Sequence, residues 1–345
     1  MKGSQTCVAC GGKLVFEPKK QVLKCVQCGA LTAVKGVVTT EKSFERLLKN
    51  APQWQMETIV YRCDHCGAKS VMNKTDLVKR CEYCGATTMI KSEDHPGLYP
   101  DTVVLFKLNR DEAVEKARRW LARRRLAPNW YKRMAQAKNL RAFYFPAFTF
   151  DAQTMSSYTG YQTTTHTRTT FQDGQAVEST YTTRTPVRGH LPKVFDDLLI
   201  SATSTISPTL FNDLQPFLTN EANVYQKEYL SGYSVAVADQ DPLRCWDAAK
   251  QSMHTTIKTE IQNGFTASVE GLVVNTTMTN ITYKYVLLPV FVGHTEYKGE
   301  KYELYINGQS GKTVGKSPVS IWKVLGLAAM GIGLVAAGFL LAFLL

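Results

Sequence analysis

The sequence predicts a multidomain protein: two small four-cysteine ribbons, a basic helical segment, an α+β (mostly β) domain and one C-terminal transmembrane helix. Three observations predict this. Eight of the nine cysteines fall within the first 84 residues as C-x2-C pairs. Ten Lys or Arg and no acid lie between Lys116 and Arg141. The last 22 residues, Val324 to Leu345, carry no charge. The expected boundaries are 1–35 and 60–91 for the ribbons with a helical linker at 36–59, 92–142 for the basic segment, 143–318 for the β-rich domain and 319–345 for the anchor.

The pairs are Cys7/Cys10, Cys25/Cys28, Cys63/Cys66 and Cys81/Cys84. Each half places fourteen residues between its two pairs, and the whole unit recurs 56 residues later. Residues 1–25 lack the apolar run of a secretory signal, so the thiols are expected in a reducing compartment, where such pairs bind metal or do redox chemistry. A redox site of the thioredoxin type needs one C-x2-C beside a βαβ pattern, whereas four thiolates per unit match closed tetrahedral Zn2+. The expectation is two structural zinc ions per chain. Gly11, Gly29, Gly67 and Gly85 follow the pairs directly and suit the left-handed turn of a metal knuckle. Lys13–Phe16 and Gln21–Lys24 read as short strands. With both sites filled, the formal net charge of +12 becomes about +8.

In the linker, Ser43 to Leu48 reads as a short helix closed by Asn50 and Pro52. Pro96, Gly97 and Pro100 break the pattern ahead of the basic segment. There Asn109 followed by Glu112 forms a helix-start signature. Ala113, Val114, Ala117, Trp120 and Leu121 keep a helical period, so Arg118, Arg119, Arg123 and Arg125 are expected to point outward until Pro128. Residues 1–150 hold 27 basic and 13 acidic side chains. Those four arginines are the candidate surface for anionic lipid or an acidic partner, with nucleic acid second.

From 143 onward, hairpin signals stand at Gln172-Asp173-Gly174-Gln175 and Tyr297-Lys298-Gly299-Glu300. A helix is expected over 242–262, where Trp246, Ala249, Met253 and Ile257 share a face. Phe143–Phe148 resembles Tyr285–Phe291, a weak internal duplication. Asp196-Asp197 reads as an acidic pair at a helix start, and Cys245 as a buried thiol. Asn307-Gly-Gln-Ser-Gly-Lys312-Thr313 is close to a phosphate-binding loop, but Ile306 replaces the first glycine and Val314-Gly315 follow where a helix is required. It is expected to be a β-turn. No catalytic constellation emerges, and the chain is expected not to be an enzyme.

The terminal run spans about 33 Å as a helix, enough for a hydrocarbon core of about 30 Å. Lys312, Lys316 and Lys323 precede it, which by the positive-inside rule places the N-terminal domains in the cytoplasm of a single-pass cell-membrane protein. Ala329, Gly333 and Ala337 recur every four residues and form a candidate packing face for another span.

Taken together, the two CxxCG units, the Arg-rich helix, Phe145-Pro-Ala-Phe-Thr-Phe-Asp151, Glu228-Tyr-Leu-Ser-Gly-Tyr233, Leu287-Leu-Pro-Val290, Tyr305-Ile-Asn-Gly-Gln-Ser-Gly-Lys312 and the apolar tail resemble the YdjG-like family of bacterial membrane proteins with TFIIB-type zinc ribbons. The resemblance covers nearly the whole chain. It implies an envelope-stress operon with PspA-like and SPFH/flotillin-like proteins, in which the ribbon protein is a membrane-bound recruiting platform beside a second membrane protein. Only the eight cysteines carry over as functional residues. The expected function is a non-enzymatic, tail-anchored zinc-ribbon adaptor. The alternative is a membrane-tethered nucleic-acid-binding regulator.

Overall fold

The computed structural model describes residues 6–33, 41–45, 58–63, 69–73, 81, 89–91, 100–132, 140–172, 175–230, 232–297 and 300–344. Three short strands open the chain: β1 (Leu14–Glu17), β2 (Val22–Cys25) and β3 (Leu31–Ala33). They form an antiparallel sheet in the order β1-β2-β3. Both leading strands sit one residue later than the hydrophobic runs suggest, because the turn at Gln21 takes a left-handed φ of 53° and delays β2.

The remaining strands belong to one 12-stranded sheet. They are β4 (Lys42–Ser43), β5 (Thr58–Cys63), β6 (Lys69–Asn73), β7 (Met89–Lys91) and β8 (Thr102–Val103). Three very long strands follow in part: β9 (Leu140–Gln172), β10 (Gln175–Ser201), and, after β11 (Asn223–Val224) and β12 (Ser234–Ala236), β13 (Val269–Tyr297). β14 (Glu300–Asn307) and β15 (Thr313–Gly315) complete it. Both expected hairpin turns fall between strand ends, at Gln172/Gln175 and Tyr297/Glu300. β9 lies between β10 and β13, antiparallel to each. The two similar segments seen in the sequence are neighbours in that ladder, with Pro146 opposite Leu287 and Phe148 opposite Tyr285.

The described helices are α1 (Arg110–Ala122), α2 (Asn129–Lys132), α3 (Pro208–Leu214), α4 (Pro242–Asn263) and α5 (Ile321–Leu344); α1, α3 and α4 pack on the large sheet, whereas the described side chains of α5 are almost all exposed. Asn109 caps α1 through a full capping box with Glu112, which satisfies two of the free amides at its start. α4 carries the predicted period: Trp246, Ala249, Met253 and Ile257 are buried against Phe148, Phe150, Tyr283 and Tyr285. A polar stripe outside and an apolar stripe inside account for both its formation and its place. Phe44 packs on Trp246 with ring centroids 4.9 Å apart, so the short segment at β4 is fixed to that core; Ser43, expected to open a helix, lies in β4, where it pairs with Thr282, and residues 46–48 of that expected helix lie outside the described residues.

Two parts of the predicted fold class are corrected. The second ribbon does not form a sheet of its own. β6 pairs antiparallel with β12, Val71 opposite Val235, which draws β5–β7 into the large sheet. Leu14, Phe16 and Leu23 join one buried cluster with Phe106, Ala113, Ala117 and Tyr144. Such short sheets bury too little apolar area by themselves, and the body of the protein supplies the missing surface.

The second correction concerns the C-terminus. Among the described residues, no helix is long and apolar enough to cross a membrane. This overturns the transmembrane helix, the tail anchor and the single-pass membrane location expected from 319–345. The base of α5 is tied to the body: the Ser320 amide donates to the Leu126 carbonyl, and Lys323 Nζ donates to the Ala127 carbonyl at 2.7 Å. Lys323 is therefore a structural tie and not a free flanking charge.

Candidate metal centre

The strongest site is built by β1–β3 and the turns before β1 and after β2. In each turn a glycine amide closes onto a cysteine carbonyl, Gly11 to Cys7 at 2.8 Å and Gly29 to Cys25 at 3.0 Å. Both glycines have left-handed φ, 71° and 73°, a geometry that L side chains adopt only with strain. The β1–β2 hairpin then brings the two turns face to face. Cys7 Sγ lies 3.6 Å from Cys28 Sγ, and Cys10 Sγ lies 3.5 Å from Cys25 Sγ. All four sulfurs lie within 4.8 Å of one another. A tetrahedron with Zn–S bonds of about 2.3 Å has S···S edges of about 3.8 Å. A disulfide needs about 2.05 Å. The spacing fits four thiolates around one ion, with no coordination position left open.

The thiols are not equivalent. Cys7 and Cys25 are buried, and Cys10 and Cys28 are exposed. The hydrogen bond from the Cys28 amide, opposed by burial, lowers Cys25 to about 6. At Cys10 the Gly12 amide favours the thiolate, but the neighbouring Cys28 and Cys25 sulfurs and burial outweigh it and raise the thiol to about 12. Cys25 thus ionises readily, whereas Cys10 resists ionisation until a cation compensates the charge. This sheet is also seated on the body: Phe16 meets the ring of Tyr229 edge-on at 5.8 Å.

Of the second predicted set, Cys63 and Cys81 are buried in a cluster with Phe143, Phe145 and Leu199, whereas Cys66 and Cys84 lie outside the described residues. Cys245 is buried on α4, donates to the Ser201 carbonyl at 3.6 Å, and burial pushes its thiol up to about 12.

The four arginines are all exposed. Arg118 pairs with Glu115 at 2.8 Å. α1 ends at Ala122, earlier than Pro128, so Arg123 forms its C-cap and Arg125 lies beyond it, outside the helical period. The sequence did not single out Arg124, whose guanidinium stacks over Trp120 at 4.4 Å. On α5, Ala329 and Gly333 are exposed, and a Cβ at Gly333 would meet nothing within 4 Å. The side chain of Ala337 lies outside the described residues.

One polar cluster escaped the sequence. Glu41, Asp151 and Asp196 each bring a carboxylate oxygen within 4.8 Å of the others. Register shifts in β10 (Phe195/Leu198) and in β13 (Thr279/Thr282) flank Asp151 on both sides. Asp196-Asp197 therefore forms a strand bulge, not a helix start, with Asp197 at φ 51°. The Asp197 amide donates to Asp151 at 2.5 Å, and Thr282 Oγ1 donates to Asp151 at 2.7 Å. Lys284 answers the charge, 3.3 Å from Glu41 and 3.0 Å from Asp197. Burial raises Asp151 to about 6, against the two hydrogen bonds it accepts. Nothing in residue spacing marks this cluster, because its members are brought together by bulges in different strands.

No family model and no solved structure matches the chain. It is similar to "Uncharacterized protein YdjG" of Bacillus subtilis (strain 168), with 25% identity over 229 residues. The match covers 66% of this chain and 66% of that protein, just under two thirds of its length.

Proposed function

We propose that this protein is a non-enzymatic adaptor whose N-terminal region is held in shape by structural Zn2+ and whose exposed surfaces recruit partner proteins. The observation that carries it is the convergence of Cys7, Cys10, Cys25 and Cys28 into one closed set of sulfurs. A closed four-thiolate site stabilises a fold and leaves no position for a substrate or a reactive water. The second cysteine set, with its identical spacing, holds a second zinc ion in this reading. The partners are those the family resemblance implies: PspA-like and SPFH/flotillin-like proteins of an envelope-stress system. An acidic helical partner is the natural counterpart of Arg118, Arg119, Arg123 and Arg125.

Elemental analysis of the purified full chain tests the metal. Two zinc ions per chain are expected, falling to one in Cys25→Ser. One zinc in the unsubstituted protein, or iron in its place, sinks the two-ribbon reading. The adaptor role is tested by binding of a purified PspA-like protein from the same bacterium.

The second reading is a nucleic-acid-binding regulator, favoured by the exposure of all four arginines. Duplex DNA binding whose logarithm falls linearly with the logarithm of salt concentration, and which Arg→Glu reversal abolishes, distinguishes it.

A further inference from the structure

β9 and β10 run on together past the end of their neighbour. The last β13 partner of β9 is Val269, opposite Gln162. Beyond Thr163, whose amide still meets Ser268, β9 pairs only with β10 among the described residues as far as Gln172, over about 30 Å. Along its whole length β10 pairs with β9 alone among the described residues. The result is a two-stranded ribbon, exposed on both faces, and such ribbons are marginal in water without a further strand.

The open edge of β10 has a definable donor row. Amide and carbonyl of one residue point to the same side of an antiparallel strand, alternating along it. An in-sheet proline keeps its nitrogen away from the ladder. Pro186 stands opposite Tyr161, and Pro192 opposite Met155, so even-numbered residues of β10 face outward. β9 gives the same answer from its other side: the Thr163 amide donates to the Ser268 carbonyl, which turns odd residues of β9 away from β10. Glu178, Thr180, Thr182 and Arg184 therefore present main-chain groups to solvent.

That row is complementary to itself. In an antiparallel pairing of β10 with a second β10 about a two-fold axis at Tyr181, Thr180 faces Thr182 of the second copy, and Glu178 faces its Arg184. Both charge pairs are opposite in sign, and about eight main-chain hydrogen bonds form before Pro186 ends the donor row. Arg184 pairs with Glu270 of β13 at 2.8 Å, across β9 and away from this edge, and exchanges that partner for Glu178 of the second copy in the dimer. We infer that this edge is a homodimer interface, in which two copies join their ribbons into a four-stranded sheet centred on Tyr181.

Cross-linking in the full chain tests the register. The two Tyr181 residues form a non-hydrogen-bonded pair with Cα atoms about 4.5 Å apart, within disulfide range. The two Ser179 residues are displaced by about 14 Å along the strands. Under mild oxidation by oxidised glutathione, Tyr181→Cys is expected to give mostly reducible dimer. Ser179→Cys is expected to stay at the level of the unsubstituted protein. In a Tyr181→Cys, Glu270→Gln background, Glu178→Arg is expected to lower the yield several-fold, and adding Arg184→Glu to restore it. Thr182→Pro, tolerated in the monomer because its nitrogen faces outward, is expected to abolish cross-linking. Equal cross-linking through Ser179 and Tyr181, an unchanged yield in Glu178→Arg, or full yield in Thr182→Pro overturns the interface.

Discussion

The side-chain amide of Asn307, fully buried at the end of β14, donates to the main-chain carbonyl of Pro216 at 2.9 Å, 91 residues away. It also donates to the Leu214 carbonyl, and its Oδ1 accepts from the amides of Gln309 and Ser310. The motif that looked like a phosphate loop is thus a corner that locks the β14–β15 turn to the end of α3. Asn307→Ala leaves several buried polar groups without partners, each worth about 1–3 kcal/mol. We expect a loss of about 3 kcal/mol or more in urea unfolding. A loss under about 1 kcal/mol would show that water replaces these bonds.

The neighbouring Gly308 is there for space. A Cβ would lie 2.5 Å from Phe106 Cδ1 and 2.9 Å from Pro289 Cβ. Phe106 cannot retreat, because it stacks on Tyr233 at 4.5 Å and abuts Phe291. Gly308→Ala should cost about 1–3 kcal/mol by thermal unfolding. Combining it with Phe106→Leu should cost less than the sum of the two single changes.

Removal of metal should act locally first. The sheet β1–β3 has little core of its own, and Phe16 reaches the body through Tyr229 and Tyr233. Chelation at neutral pH should open residues 6–33 to protease while the segment around α4 stays protected. Limited proteolysis with mass mapping reads this directly. Simultaneous cleavage in both regions would mean that the metal holds the whole fold.

Asp151 gives a pH signature. Its native value of about 6 lies above the usual 3.8, so the native state binds this proton more tightly than the unfolded chain. Its contribution to stability is fully present below about 3.8 and is lost as pH rises through about 6. Asp151→Asn removes that loss. Relative to the unsubstituted protein, the variant should gain roughly 1–2 kcal/mol between pH 4 and pH 7.5. A stability difference that is the same at both pH values would refute the assignment.

Under the proposed adaptor role, reversal of Arg118, Arg119, Arg123 and Arg125 to Glu should weaken binding to a purified acidic PspA-like protein by about tenfold or more at low salt, with metal content unchanged. A loss confined to duplex DNA would favour the regulator reading instead.

Local chemistry made much of this protein legible from its residues alone. The spacing of Cys7, Cys10, Cys25 and Cys28, with glycine after each pair, specified a four-sulfur knuckle, because turn geometry is set within a few bonds. Asn109 with Glu112 marked the start of α1, the Trp246–Ile257 period marked α4, and the turn residues marked both hairpins, each through short-range interactions. Pairing partners were not legible. That β6 adds to β12, that Phe16 shares a core with Phe106, and that Asp151, Asp197 and Lys284 meet at two bulges depend on contacts between distant segments. The terminal apolar run read as a membrane span from its composition, whereas the tie of Lys323 to Ala127 depends on where α2 comes to lie. Periodicity fixes which face of an element is apolar; only the assembled sheet decides what that face meets.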